Sequence, residues 1–413
     1  MKIFIYESAC QRRSMDANKI QKYFCLNNHE IVNDPKNADI IIFITCAVLN
    51  KATEQALKQI KIFKKYNAEL IVGGCVPEID KEKLQEVFNG RCLSTKNIEK
   101  LDEFFPGHKI KFSEIDDINF LYQNYNKKNI RDIFRKIINK IGFVDNIYYT
   151  YKINFAKFIS GEYSIVSRSF QKYYCIRISW GCSGNCAYCG IKNAIGRIHS
   201  KPLEKCITEF KRGLEKSYKN FLITADDIGA YGLDIDSSFS ELLNQLIKID
   251  GDYKIHIQNL DPKWVVKYID DLERIIKTEK IVSMGISVQS GNSRILSLMN
   301  RYSNVENIKK SISRIKKAYP KIVISTAIII GFPTETHEEF EDTLKLIKEI
   351  DFWDGFVFRF SLKHGSQAEK IDPKVPKEEA IERFIESEKF FKKMNYNIKI
   401  ESKFESYIFC KKK

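Results

Sequence analysis

No apolar run in this chain of 413 residues is long enough to span a bilayer. The opening residues, Met1-Lys2-Ile3-Phe4-Ile5-Tyr6-Glu7, lack the apolar length of a secretory signal. Repeats at solenoid periods are missing, as are low-complexity tracts beyond scattered Asn and Lys. These absences argue against a membrane span, a secreted precursor and a repeat array, and predict a soluble cytoplasmic protein. The cytosol disfavours disulfides, so the 11 cysteines read as metal ligands or free thiols. The length exceeds one ordinary core, which predicts two or three domains. A net charge of +15 suits a polyanionic partner such as RNA, although a Lys-, Ile- and Asn-rich composition gives the same number by itself.

The chain is organised around Arg177-Ile178-Ser179-Trp180-Gly181-Cys182-Ser183-Gly184-Asn185-Cys186-Ala187-Tyr188-Cys189, with cysteines at spacing C-x3-C-x2-C just after a short β-type run. Gly181 and Gly184 let the backbone wrap closely around something bulky. Three thiolates on one loop form an incomplete set for a cubane cluster, which normally takes four, and leave one iron open to a substrate. The spacing departs from the paired C-x2-C of structural zinc. A disulfide loop, a zinc site or buried free thiols are the plain alternatives. Three cysteines crowded on one short loop make a poor core segment.

The first hundred residues read as β-α-β-α-β. Strands are expected at Lys2 to Tyr6, Asp39 to Thr45 and Glu69 to Val72, with helices at roughly Ser14 to Asn27 and Lys51 to Tyr66. The second strand is apolar throughout and so is expected to be parallel and buried on both faces. Each strand ends near a cysteine: Cys10, Cys46 and Cys75. In an open parallel sheet the loops beyond the strands' carboxyl ends converge, so three cysteines far apart in sequence can meet.

The segments Ser8-Ala9-Cys10, Thr45-Cys46 and Gly73-Gly74-Cys75-Val76-Pro77, followed by the C-x3-C-x2-C loop, resemble the radical S-adenosylmethionine (SAM) methylthiotransferase family. The resemblance covers about residues 1 to 100 and 173 to 375. It implies two [4Fe–4S] clusters, one on Cys182, Cys186 and Cys189 that chelates SAM, and one on Cys10, Cys46 and Cys75 that carries or activates sulfur. It also implies SAM contacts at Tyr188, Asp226, Gln289 and Gly331. Ala9 and Arg13 stand where the family usually has Gly and Asn, Ile195 where it has Arg, and Thr334 where Gly-Phe-Pro-Gly-Glu has its second Gly. Arg197 is a candidate to replace the missing arginine. Asp227-Ile228-Gly229-Ala230-Tyr231-Gly232 with Gly74-Cys75-Val76-Pro77 is most similar to enzymes acting on N6-threonylcarbamoyladenosine in tRNA.

The fold expected is α/β: an N-terminal parallel sheet domain (1–104), a basic aromatic insert (105–171), a radical SAM partial (β/α)6 barrel (172–375), and a C-terminal helix with short strands (376–413). The barrel strands are expected at Tyr174 to Ser179, Phe221 to Ala225, Tyr253 to Ile257, Val282 to Val288, Ile322 to Ile330 and Gly355 to Phe360. Within the insert, Ile130, Ile133, Phe134, Ile137, Ile138 and Ile141 recur at helical spacing among Arg and Lys, as a docking helix or a substrate arm. The tRNA-acting members carry a further small β-barrel at the C-terminus, and too few residues remain here for it.

The target carbon in such reactions has no acidic proton, so no general acid or base is assigned. The resemblance implies instead that the reduced cluster passes an electron to SAM and that the resulting 5′-deoxyadenosyl radical removes the hydrogen. Sulfur then comes from the second cluster and a methyl group from another SAM. tRNA is the favoured partner, with a flavodoxin- or ferredoxin-type electron donor. A peptide or protein substrate is the alternative. Two other classes remain open: a radical SAM enzyme of different outcome with an auxiliary electron-transfer cluster, and a non-catalytic binder with structural metal.

Overall fold

The computed structural model describes residues 1–119 and 173–412. The chain divides into two compact units, Met1–Lys172 with Asn193–Ile195, and Tyr173–Lys192 with Gly196–Lys413. The helix expected over Ile130 to Ile141 lies outside the described residues.

The first unit is a five-stranded, all-parallel sheet: β1 (Lys2–Ser8), β2 (Glu30–Ile31), β3 (Ile40–Thr45), β4 (Glu69–Gly74) and β5 (Cys92–Ser94), in the order β2-β1-β3-β4-β5. The three strands expected from the sequence form its centre, and β2 and β5 add short edges. All six residues of β3 are buried, as its unbroken apolar run requires. Ile40, Ile42 and Ile44 pack with Ile20 and Phe24 of the helix Gln11–Leu26, while Ile41 and Phe43 pack with Ala56, Ile60 and Phe63 of the helix Asn50–Phe63. This period-two split puts one helix on each face. Phe105, Phe112 and Ile115 join the first of these cores, so the packed body runs on past residue 104.

In the second unit six parallel strands follow the expected positions: β6 (Tyr174–Arg177), β9 (Asn220–Thr224), β10 (Lys254–Leu260), β11 (Ile281–Ile286), β12 (Val323–Ile330) and β13 (Asp354–Arg359). A two-stranded ribbon, β7 (Ser179–Trp180) with β8 (His199–Ser200), flanks the cysteine loop. Helices alternate with the strands, among them Leu203–Glu215, Phe239–Ile247, Val305–Ala318 and His337–Ile350. The C-terminal helix Lys377–Lys393 leads into the hairpin β14 (Tyr396–Ser402) and β15 (Ser406–Lys411). β15 pairs antiparallel with β13, giving one open eight-stranded order from β6 to β14. Phe391, Tyr396, Tyr407 and Phe409 belong to the same core as the barrel strands, so no packing boundary falls at residue 376.

Near the amino ends of these strands His256 Nδ1 lies 2.7 Å from Ser283 Oγ, Nε2 lies 3.4 Å from Asn220 Oδ1, and the ring meets Tyr173 edge-on. Burial lowers His256 from 6.5 to about 4. Below pH 6.5 the unfolded chain takes up a proton that folded His256 resists down to about 4, so its contribution to stability is lost as pH falls through that window. His256→Gln should therefore flatten the acid loss between pH 6.5 and 4 by on the order of 2 kcal/mol, read from urea midpoints of both proteins across that range.

Candidate functional site

In the first unit, parallel pairing brings the cysteine-bearing ends together. Ser8 pairs with Thr45, and Thr45 with Gly74, in register. Cys10, Cys46 and Cys75 thus follow within two residues of three adjacent strand ends. Cys10 is half-buried at the N-terminal cap of the helix Gln11–Leu26, and Cys46 and Cys75 are buried. The crossing from β4 is tight: Cys75 N–H donates to Thr45 O at 3.0 Å, and Thr45 Oγ1 donates to Gly73 O at 2.6 Å. Gly74 has φ +92, and a β-carbon there would lie 2.3 Å from Thr45 O. The Arg13 that departs from the family pattern is buried and paired with Asp16 at 3.2 Å. Ala9, just before Cys10, is buried too.

In the second unit the cysteine loop is pinned along its length. Gly181 opens it with φ +76, and a β-carbon there would lie 1.8 Å from Arg197 O, so only glycine fits. Cys182 N–H donates to Gly196 O at 3.2 Å. Ala187 N–H donates to Met299 O at 2.9 Å, and Ala187 O accepts from Ala368 N–H at 2.8 Å. Lys192 Nζ donates to Gly184 O at 2.7 Å and Asn300 Nδ2 to Asn185 O at 3.2 Å. Gly184 sits between two sulfurs: a β-carbon there would be 3.3 Å from Cys182 Sγ and 3.9 Å from Cys186 Sγ.

The thiols crowd one another. Burial pushes Cys182 up to about 12, with the Asp227 carboxylate adding to it and the Gly184 N–H opposing. Burial also raises Cys189, with Cys186 contributing and nearby backbone N–H groups opposing. Such thiols hold their protons until a cation displaces them, which is the donor chemistry that iron binding uses. The set fits a [4Fe–4S] cluster with three protein sulfurs.

Two carboxylates from the turn after β9 face this loop. Asp226 accepts from Gly181 N–H at 3.3 Å. Asp227, named in the sequence only as part of a motif and given no role of its own, is buried; its Oδ2 accepts from Ser183 N–H at 3.2 Å and Ser183 Oγ at 2.7 Å, and its Oδ1 accepts from Trp264 Nε1 at 2.9 Å. Asp227 stands before the single turn Ile228–Ala230 without capping it through its side chain. A cation also reaches the loop. Arg301 Nη1 lies 3.5 Å from Cys186 Sγ, 3.2 Å from the Tyr188 hydroxyl that accepts from it, and 3.0 Å from Asp261 Oδ2, while Nη2 donates to Ser287 O at 2.6 Å. The Arg197 side chain is exposed, and Ile195 is buried.

The remaining expected SAM contacts sit at later strand ends. Gln289 bridges to β12, donating from N–H to Ala327 O at 2.8 Å and accepting at its carbonyl from Ile329 N–H at 2.9 Å. Its Oε1 is buried and takes no hydrogen bond among the described residues, as expected of a group waiting for a polar ligand. Gly331 has φ +76, and a β-carbon there would lie 2.9 Å from the Ala380 β-carbon, so the C-terminal helix occupies that direction. Gly331 N–H donates to Glu335 Oε2 at 2.7 Å. Thr334 adopts φ +68, a conformation costly for a β-branched residue. It is held by its N–H to Pro373 O at 2.9 Å and by Arg294, which donates to Thr334 Oγ1 at 3.0 Å and to Thr334 O at 2.8 Å.

Gly181→Ala tests whether loop geometry controls metal uptake. The blocked β-carbon position should abolish iron incorporation at this loop, measured as a loss of about four irons per chain after anaerobic reconstitution, while the far-ultraviolet spectrum is retained.

Comparison with known proteins matches this architecture. Residues 176–347 match the Radical SAM superfamily, and residues 2–93 match the Uncharacterized protein family UPF0004. A probable threonylcarbamoyladenosine tRNA methylthiotransferase of Pyrococcus horikoshii is 25% identical over 371 residues, covering 90% of this chain and 79% of that protein. A tRNA-2-methylthio-N(6)-dimethylallyladenosine synthase of Clostridium botulinum is 28% identical over 389 residues, covering 92% and 79%. Among solved structures, the radical SAM methyltransferase TsrM of Kitasatospora setae shares the fold at 10% identity, with a TM-score of 0.59 over 89% of this chain and 76% of that one. Residues 2–93 and 176–347, each with its cysteines at the ends of parallel strands, thus match the Uncharacterized protein family UPF0004 and the Radical SAM superfamily, and over most of its length the chain is similar to tRNA methylthiotransferases.

Proposed function

We propose that the protein adds a methylthio group to an unactivated carbon of N6-threonylcarbamoyladenosine in tRNA, in the cytoplasm, with a flavodoxin- or ferredoxin-type protein as electron donor. The observation that carries this is the pair of cysteine triads, each gathered at the carboxyl ends of parallel strands. Cys182, Cys186 and Cys189 hold the cluster that binds SAM, and Cys10, Cys46 and Cys75 hold a second [4Fe–4S] cluster. Bound there, the two clusters and SAM supply one-electron cleavage and a source of sulfur. The chain's own part is position and exclusion of water. Asp226 and Asp227 fix the loop, Tyr188 is oriented by Arg301, and Gln289 Oε1 offers a desolvated acceptor to SAM. Gly331 keeps the turn after β12 low against Ala380.

The nucleoside assignment leans on the wording Asp227 to Gly232 and on a relative named for threonylcarbamoyladenosine. The charge of +15 supports a polyanionic substrate. Among the described residues no helix is long and apolar enough to cross a membrane.

Nucleoside mass spectrometry of tRNA from cells with and without the gene tests the substrate. A methylthio derivative of threonylcarbamoyladenosine should disappear with the gene. An unchanged tRNA profile rejects the assignment and moves the search to peptides. Cys182→Ala should abolish SAM cleavage, whereas Cys46→Ala should still cleave SAM and give no thiolated product. Thiolation by Cys46→Ala would remove the first unit's cysteines from sulfur handling. Asp226→Ala should raise the SAM concentration needed without loss of iron.

A further inference from the structure

Two charged side chains touch the sulfurs of the cysteine loop from opposite signs. Arg301 Nη1 is 3.5 Å from Cys186 Sγ, and its side chain is 6% exposed. Its charge is permanent, since a guanidinium does not deprotonate in proteins. Asp227 Oδ2 is 3.6 Å from Cys182 Sγ, and Asp227 is likewise 6% exposed. Neither is free to swing away. Arg301 is fixed by Ser287 O, Tyr188 and Asp261, and Asp227 by Ser183 and Trp264.

We propose that these two residues set the reduction potential of the centre held by Cys182, Cys186 and Cys189, Arg301 raising it and Asp227 lowering it. The inference rests on the reading that this loop holds a [4Fe–4S] cluster. One-electron reduction adds a negative charge to the centre and leaves the sulfur ligands more electron-rich. A buried cation that hydrogen-bonds a ligand sulfur stabilises that added charge, and hydrogen bonds to sulfur and net charge are recognised controls of cluster potential. A buried carboxylate against a second ligand sulfur does the opposite. Asp261 shares Nη1 of Arg301 and offsets part of its charge, but the guanidinium is the group at hydrogen-bond distance from sulfur. Both residues thus act through the ligands and are positioning residues in the electrostatic sense.

The test is a dithionite titration monitored by electron paramagnetic resonance. It uses the full chain, anaerobically reconstituted, in a Cys10→Ala/Cys46→Ala/Cys75→Ala background so that the second unit's centre alone reports. Arg301→Gln should shift the midpoint downward by at least tenfold in the oxidised-to-reduced ratio, about 59 mV for one electron. Asp227→Asn should shift it upward. Arg301→Lys keeps the charge and should stay within about threefold of the parent ratio, where a purely steric role for the guanidinium fork would not distinguish it from Arg301→Gln. If Arg301→Gln takes up no cluster, Asp227→Asn still decides: an upward shift is expected, and an unmoved or downward midpoint overturns the proposal. Midpoints unmoved in Arg301→Gln and Asp227→Asn at full iron content overturn the proposal, and so do shifts of the same sign in these two variants, which report solvent access instead of charge. A parent that binds no iron and sulfide rejects the cluster reading itself, and the inference falls with it.

Discussion

Parallel strands can be joined only by crossovers that return the chain to the edge it started from. Everything functional here follows from that constraint. In the first unit it sets Ser8, Thr45 and Gly74 side by side although 66 residues of sequence separate the outer two. In the second it delivers the cysteine loop, the Asp226–Asp227 turn, Gln289 and Gly331 to the carboxyl ends of β6, β9, β11 and β12. The two-faced burial of β3 and the helices between the barrel strands keep those edges in register.

Holding thiols and charges in such a place is costly, and the second unit spreads the cost over backbone groups. Peptide N–H and C=O groups from Gly196, Met299 and Ala368 hold the cysteine loop. The turn after β12 shows the same device with a carboxylate. Burial raises Glu335 to about 7 even though Gly331 N–H and Arg383 pull against it. Arg383, itself buried on the C-terminal helix, donates to Glu335 O at 2.8 Å and reaches Glu335 Oε2 at 3.3 Å. Glu379 also pairs with Arg383, so removing Glu335 leaves the buried guanidinium one carboxylate partner, while removing Arg383 takes away a group that holds Glu335 down.

Much of this was legible in the sequence because its signals are local. Apolar runs with a cysteine just beyond them announce both the strand and its end, and all nine strands anticipated in the two domains are present. β2 and β5 were not anticipated, because two or three residues carry no period. The hairpin β14–β15 was seen as strands but not as part of the barrel sheet, since its partner β13 lies about 50 residues back and nothing in either sequence names the pairing. The site residues divide the same way. Cysteines declare themselves by spacing. Asp227 and Arg301 do not: their partners Ser183 and Cys186 lie 44 and 115 residues away.

The clamp on Ala187 also has a consequence for the order in which the molecule is made. The first unit's three cysteines and five strands all lie within the first 94 residues, and domains fold as units from the amino end, although this unit's core also takes Phe105, Phe112 and Ile115. The second loop is different. Its carbonyl waits for Ala368 and its N–H for Met299, and the sheet beneath waits for the hairpin that ends at Lys411. Of the two cysteine sets, the one first encountered in the chain has its strands early, whereas the other lacks these backbone partners until Met299 and Ala368 have been made.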